Sequence, residues 1–391
     1  MMKLGKLRPV GNRVPVPDRA HDLVMPWESA YATRFLDSGT SALSIAIGIA
    51  RKARPAINKP EVILPGYGCP DLIAAAMAQG VVPVLVDLAE DSPWMNPREV
   101  ADKITDNTVA IVAVNFLGLA APLEQLSELT RRSGLLLIED SAQRMPPSSA
   151  ENGCADLVVL SFGRGKPVNL MGGGALLVRH HLEEEARMFC SPLPLVNERR
   201  TISWAFKRHL FNILVSRLFF GLLEKIPALR LGETRLHALE RTYLVDPIPG
   251  LLASALVRFH EAPDYRLELD RQLAVLDRQG WVRLPATLGQ AEKKPTKLLR
   301  YCLLAPDMET RDRSVRLLNQ AGIGANAFYG AILPHIPGVN DVVPETNGLR
   351  YAKDFASRLI TLPVHEDVTP RDVQKMIKTL LRSAQQQKQM L

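Results

Sequence analysis

From residue 38 to residue 178, helical and strand-like stretches alternate, an order that a sheet of mainly parallel strands covered by helices accommodates. Ser38, Gly39 and Thr40 precede an apolar helix to about Ala53, and residues 61–64 form a short buried strand ended by Pro65 and Gly66. A helix over 71–79 stops at Gly80, and the β-branched run 82–86 is a strand closed by Asp87. Asn96, Pro97 and Glu99 form a capping box for a short helix. Strand 109–114, helix 122–133 and strand 135–138 follow, the last ending in Glu139 and Asp140. Strands 157–160 and 175–178 flank a loop containing Gly163, Gly165, Gly172, Gly173 and Gly174. Ligands of open α/β sheets bind beyond the carboxyl ends of the strands, so a site is expected at Tyr67, Asp140 and the 161–174 loop.

After residue 240 the pattern changes to a helix over about 251–276, a strand-like 297–304, a helix over 309–320 and a last helix opened by Thr369, Pro370 and Asp372. The expected organisation is a cofactor-binding large domain over 1–195, a basic apolar helical insertion over 196–240, and a helix linker with a small α+β domain over 241–391. At 391 residues, 47% hydrophobic and 23% charged, the chain has the composition of a globular protein, which excludes disordered and fibrous classes. Its net charge of +7 favours anionic partners, and nothing in the pattern points to nucleic acid. Cys69, Cys154, Cys190 and Cys302 are too scattered for a zinc site or disulfide framework, so no metal and a reducing cytoplasm are expected. The basic start, with Lys3, Lys6, Arg8, Arg13 and Arg19 among prolines, lacks the apolar core of a signal peptide. No stretch reaches the roughly 18 apolar residues of a membrane span.

The strongest chemical constellation is Glu139-Asp140-Ser141-Ala142-Gln143, then Ser161-Phe162-Gly163-Arg164-Gly165-Lys166, then Gly172-Gly173-Gly174. A strand-end acid and a lysine in a glycine loop suggest a Schiff-base cofactor. Pyridoxal phosphate needs a lysine amine, an acid for its ring nitrogen, phosphate donors and usually an aromatic face.

With Ser38-Gly39-Thr40-Ser41-Ala42-Leu43 and Val62-Ile63-Leu64-Pro65-Gly66-Tyr67, the chain resembles the DegT/DnrJ/EryC1/StrS family of sugar aminotransferases, which have the aspartate aminotransferase fold, fold type I. The resemblance resumes at 355–380 with Leu362-Pro363 and the helix after Thr369. It implies that Lys166 bonds pyridoxal phosphate and carries protons between substrate and cofactor, with burial and Arg164 lowering its pKa. It implies that Asp140 holds the ring nitrogen protonated and that Gln143 lies near the phenolic oxygen. Gly39, Thr40 and Ser41 at a helix start, with Ser161, would hold the phosphate, and Tyr67 would stack on the ring. The implied reaction moves an amino group from glutamate to a keto group of a nucleotide-activated sugar, in a homodimer.

Three departures stand out. Asn115-Phe116-Leu117-Gly118 replaces the usual His before Tyr-Gly, and Gly172 replaces an acid. The partner-subunit asparagine that reaches the phosphate in the family has no counterpart in Arg241-Thr242-Tyr243-Leu244, which leaves Asn197 and Thr242 as substitutes. In 198–235, eight Lys and Arg against three Glu accompany a helical stripe of Trp204, Phe211, Leu214, Val215, Leu218, Phe219, Leu222 and Ile226. Such a helix packs in a core or dimer, or lies on an anionic membrane surface. The other functions compatible with these residues are a catalytically silent scaffold of a membrane polysaccharide-synthesis complex and another fold type I reaction.

Overall fold

The computed structural model describes residues 5–18, 24–224, 226, 232–288, 296–343 and 348–390. β1 (Tyr31–Leu36) leads into α1 (Gly39–Ala53), which starts where the Ser38 side chain caps it by accepting the Ser41 N–H at 3.0 Å. Residues 41–50 of α1 are all buried, because the helix lies across the sheet. The chain then alternates through β2 (Glu61–Pro65), α2 (Asp71–Ala78), β3 (Val82–Val86), α3 (Pro97–Lys103), β4 (Thr108–Val114), α4 (Leu123–Ser133), β5 (Leu136–Asp140), α5 (Ser149–Asn152), β6 (Leu157–Ser161) and β7 (Gly174–Arg179). Next come α6 (Glu183–Cys190), β8 (Leu195–Asn197), α7 (Ile202–Leu214), α8 (Arg217–Leu223), β9 (Leu244–Asp246), α9 (Leu251–Glu261) and α10 (Arg266–Leu273). The small lobe adds β10 (Val282–Arg283), α11 (Leu284–Leu288), β11 (Arg300–Leu304), α12 (Met308–Gln320), α13 (Arg350–Arg358), β12 (Leu359–Pro363) and α14 (Pro370–Met390).

The large sheet has the order β3-β2-β4-β5-β6-β7-β1-β9-β8. Its strands from β3 to β6 are parallel neighbours, and β7 runs antiparallel to both β6 and β1. This is the expected α/β architecture, a mainly parallel sheet with a smaller antiparallel sheet β10-β11-β12 beside it. One core lies between the sheet, α1, α2 and the small lobe, and a second on the opposite sheet face around Trp27, Ile111, Leu137, Leu160 and Phe259. Each such large apolar side chain contributes about 1.5–3 kcal/mol on burial.

The expected long helix over 251–276 is two helices. Ala262 turns to extended backbone, and Pro263 cannot donate the helical N–H, so α9 ends and α10 starts afresh at Arg266. The stripe expected over 204–226 is likewise interrupted, at Val215 and Ser216 between α7 and α8.

The N-terminal residues cross the molecule as a strap. The Leu7 N–H donates to the Gly322 carbonyl, and the buried Arg8 donates to the carbonyls of Gly11 (2.8 Å) and Val215 (3.0 Å) and to the Asp367 carboxylate. Asn12 donates to the Pro167 carbonyl at 2.9 Å, and Asn169 donates back to the Asn12 carbonyl at 2.8 Å. Gly11 is required where the strap meets the lysine loop, since its φ is +94° and a Cβ there would stand 3.1 Å from Gly165 Cα. Of the basic residues at the start of the chain, Lys6 pairs with Glu224 and Arg13 with Asp367, whereas Lys3 and Arg19 lie outside the described residues.

Candidate active site

A cleft of about 410 Å³ opens where β2, β5 and β6 end and α1 begins, and it is lined by Gly39, Thr40, Cys69, Asp71, Asp140, Ala142, Gln143, Ser161 and Lys166 among others. The topology explains the gathering. Asp140 and Ser161 are the last residues of neighbouring strands, β5 and β6, and β1 delivers the α1 N-terminus to the same end of the sheet. Gly39 allows this close fit, because a Cβ there would lie 2.6 Å from the Ser161 Cβ. Lys166 is half-buried on a loop pinned by the strap, and Arg164 turns out over the Phe211 ring, 5.8 Å away.

Burial pushes the Asp140 carboxyl up from its ordinary value, opposed by the Ala142 N–H, which donates to its Oδ1 at 2.9 Å, and by the Lys166 charge. Both opposing contacts favour the ionised form that a protonated ring nitrogen would need beside it. Gln143 accepts the Leu117 N–H at 3.1 Å and donates to the Tyr329 hydroxyl at 2.9 Å, tying the cleft wall to the small lobe. An amine, a buried carboxylate and a hydroxyl-bearing helix N-terminus therefore face one cavity, a donor set that suits pyridoxal phosphate in kind.

Two polar lining residues, Cys69 and Asp71, lie outside the site expected from the sequence. Burial raises the Cys69 thiol to about 12. Asp71 accepts the Thr40 hydroxyl at 3.0 Å, so that hydroxyl must leave Asp71 before it can serve a phosphate. The sequence signal for both is their position after β2, where Asp71 also starts α2.

Tyr67 does not line the cleft. It is buried in an aromatic cluster with Phe116, Tyr329 and Phe355 at centroid distances of 6.2, 5.5 and 5.3 Å, so the ring-stacking role expected for it finds no support. The reason is that β2 ends at Pro65: residues 66–68 form a bend in which strand alternation no longer holds, so Tyr67 turns into the aromatic cluster and Cys69 takes the cleft side. Ser41 is also fully buried, its hydroxyl accepting the Ser38 Oγ–H at 2.9 Å. Thr242 stands 3.4 Å from that hydroxyl, while Asn197 sits on the exposed edge strand β8. Asn115 is a buried brace that donates to Glu139 at 2.6 Å and Ser141 at 3.0 Å and holds the backbone under the cleft.

The 198–235 stripe divides in two. Trp204 and Phe211 pack inward on Val14, Ile248 and Leu251. Ile202 (92% exposed), Phe206 (66%), Leu210 and Ile213 form the outer face of α7, continued by Leu218, Phe219 and Leu222 on α8 and by Ile226. Lys225 and Arg230 of the counted charges lie outside the described residues. No described helix is long and apolar enough to cross a membrane, and no metal-ligating cluster of His, Cys, Asp and Glu occurs among the described residues.

The sequence pattern of the DegT/DnrJ/EryC1/StrS aminotransferase family matches residues 29–201 and 268–381. This chain belongs to that family. The family match leaves out 202–267, which holds α7, α8, β9, α9 and the first two residues of α10. Among curated relatives, the dTDP-3-amino-3,4,6-trideoxy-alpha-D-glucose transaminase of Streptomyces venezuelae is 34% identical over 162 residues, 39% of this chain and 41% of that protein. The 3-oxo-glucose-6-phosphate:glutamate aminotransferase of Bacillus subtilis is 22% identical over 361 residues, 90% of this chain and 71% of that protein. Other partial matches span 24% to 41% of the relatives' length. The PMP-form structure of the putative sugar aminotransferase Spr1654 from Streptococcus pneumoniae superposes with a TM-score of 0.67 at 18% identity, over 96% of this chain and 93% of that one. Its likeness establishes the fold.

Proposed function

We propose that this chain is a pyridoxal-phosphate-dependent aminotransferase that moves an amino group from glutamate to the keto group of a nucleotide-activated sugar in the cytoplasm. The observation that carries the reading is the convergence of Lys166, Asp140 and the α1 N-terminus on one cleft. The relatives named above, one acting on a dTDP-sugar and one named for glutamate, supply the substrate classes. When bound, the cofactor supplies an electron sink for the substrate carbon. Asp140 would keep the ring nitrogen's proton in place, Ser161 and, once released from Asp71, Thr40 would bind the phosphate, and Gln143 would orient the phenolic side. The Lys166 Nζ holds and returns the proton that moves between carbon atoms in the two half-reactions.

Borohydride reduction of the cofactor-loaded protein followed by peptide mass mapping tests this. The adduct is expected on Lys166, and an adduct elsewhere with Lys166 unmodified refutes the assignment. Asp140→Asn should retain that adduct and lose transamination; near-wild-type turnover would remove Asp140 from the mechanism.

We further infer that the outer face of α7 and α8, which leaves Ile202, Phe206 and Leu218 in solvent, serves contact between two copies in a homodimer. Exposed Arg199, Arg200 and Lys207 beside it also suit a reversible contact with an anionic membrane.

A further inference from the structure

Arg300 opens β11, the middle strand of the small sheet, and its side chain is 1% exposed. Neither its Nε nor its Nη2 has a hydrogen-bond partner, and no carboxylate pairs with it among the described residues. The ionisable groups near it are Tyr67, Cys302, Tyr329 and His365, none of them a carboxylate. The Phe328 ring covers the guanidinium at 5.6 Å. A second orphan adjoins it. The Tyr67 hydroxyl lies by the Tyr329 backbone, completes no hydrogen bond there, and is buried.

A buried cation without a counter-charge is strongly destabilising, and an apolar residue of similar volume would serve the core better. Burial pushes Arg300 down to about 9, which still leaves it charged at neutral pH. Two orphaned donor groups side by side fit an acceptor that arrives from outside. One cation with a planar fork matches the geometry and single charge of a carboxylate, and a diphosphate would exceed it.

The position connects to the cleft. Tyr329 takes the hydrogen bond of the cleft-lining Gln143 and packs edge-on against Tyr67, so Arg300 stands one aromatic layer behind the cavity. The covering residue is strained: Phe328 has φ +58°, a left-handed conformation that a bulky side chain rarely adopts, and Gly330 two residues on has φ +73°.

We propose that Arg300 and the Tyr67 hydroxyl bind a carboxylate of the amino-acid donor, reached when the Phe328–Tyr329 segment swings off the guanidinium. The identity of the ligand rests on the aminotransferase reading; the anion site rests on the orphaned donors.

The test uses glutarate, an unreactive dicarboxylate, with inorganic phosphate as a second probe, on the full chain loaded with cofactor. Binding is read by calorimetry and by melting temperature. Arg300→Met should lose about 30-fold or more in glutarate affinity, the weight of a charge-assisted bond to a buried cation, while its ligand-free melting temperature stays equal or rises. Tyr67→Phe, which keeps the ring, should lose several-fold with an unchanged fold. The proposal is overturned if wild type ignores glutarate, if both variants bind it like wild type, if Arg300→Met lowers the ligand-free melting temperature, or if phosphate depends on Arg300 as strongly as glutarate does. The Lys166 adduct reports separately on the aminotransferase reading: its absence sinks that reading, and its presence with Arg300-independent glutarate binding sinks this one.

Discussion

Replacing Arg8 by Met cuts the strap that joins the small lobe to the lysine loop while leaving its volume nearly filled. The Arg8 guanidinium is 4% exposed, and it gives up donors to the Gly11 and Val215 carbonyls and to the Asp367 carboxylate, with Glu366 3.7 Å away. Removing one partner of a buried ion pair costs about 3–5 kcal/mol, because the other charge stays behind with little water. Asp367 is 20% exposed and keeps Arg13 at 3.2 Å, which places the loss near the lower end, about 3 kcal/mol. In a chain of this size that lowers the melting temperature by about 4 °C.

The loss depends on pH. Burial works against ionising Asp367, but the hydrogen bond and charge of Arg8, with Arg13, outweigh it and hold the carboxyl below its ordinary 3.8. His365, whose Nε2 meets the Arg8 carbonyl at 3.0 Å while its Nδ1 accepts the Asp367 N–H, is pushed down to about 3 by burial and the Arg8 charge. Both groups take up protons more readily in the unfolded chain, so their stabilisation is complete above the unfolded values and is lost as pH falls through the folded ones. Wild type should therefore weaken from about pH 6.5 downward, and the gap to Arg8→Met should be widest at pH 7 and narrow toward pH 3. Melting curves by circular dichroism across this range are the assay. Equal melting temperatures at pH 7, or a gap independent of pH, would refute the reasoning.

Gly39→Ala should lower cofactor affinity by at least about tenfold, with overpacking of about 1–3 kcal/mol at the α1 and β6 junction, because the new Cβ meets Ser161 at 2.6 Å; absorbance titration with pyridoxal phosphate would expose an unaffected site. Ile202→Ser with Phe206→Ser should turn a dimer into a monomer in sedimentation. If the pair instead abolishes flotation with anionic liposomes at low salt and leaves the oligomer intact, the face belongs to a membrane contact and the dimer reading falls.

The parallel sheet was readable because β2, β4, β5 and β6 are continuous apolar runs bounded by Gly, Pro and Asp, which few other structures accommodate. Lys166, Asp140, Thr40 and Ser161 were readable for a related reason: the strand ends and one helix start of such a sheet must meet at one edge. β1 was not, since Thr33 and Arg34 interrupt any apolar run and its partners on β7 lie 138 to 148 residues further along the chain, a pairing made only when the sheet closes. The break after α9 has a local signal in Pro263, which the apolar periodicity running on through 276 masks.

The sequence by itself determined the layer architecture and which residue types could do chemistry, because backbone periodicity and turn residues act over a few positions. Only the tertiary structure decided which way the residues after β2 point, so that Cys69 and Asp71 face the cleft while Tyr67 turns to Arg300. It alone placed Trp204 and Phe211 inward and Ile202 and Phe206 in solvent. Burial and the pairing of charges depend on neighbours brought together from far along the chain. Arg300 and Tyr67 are separated by more than half of the chain, and no local pattern of residues records that they meet without a partner.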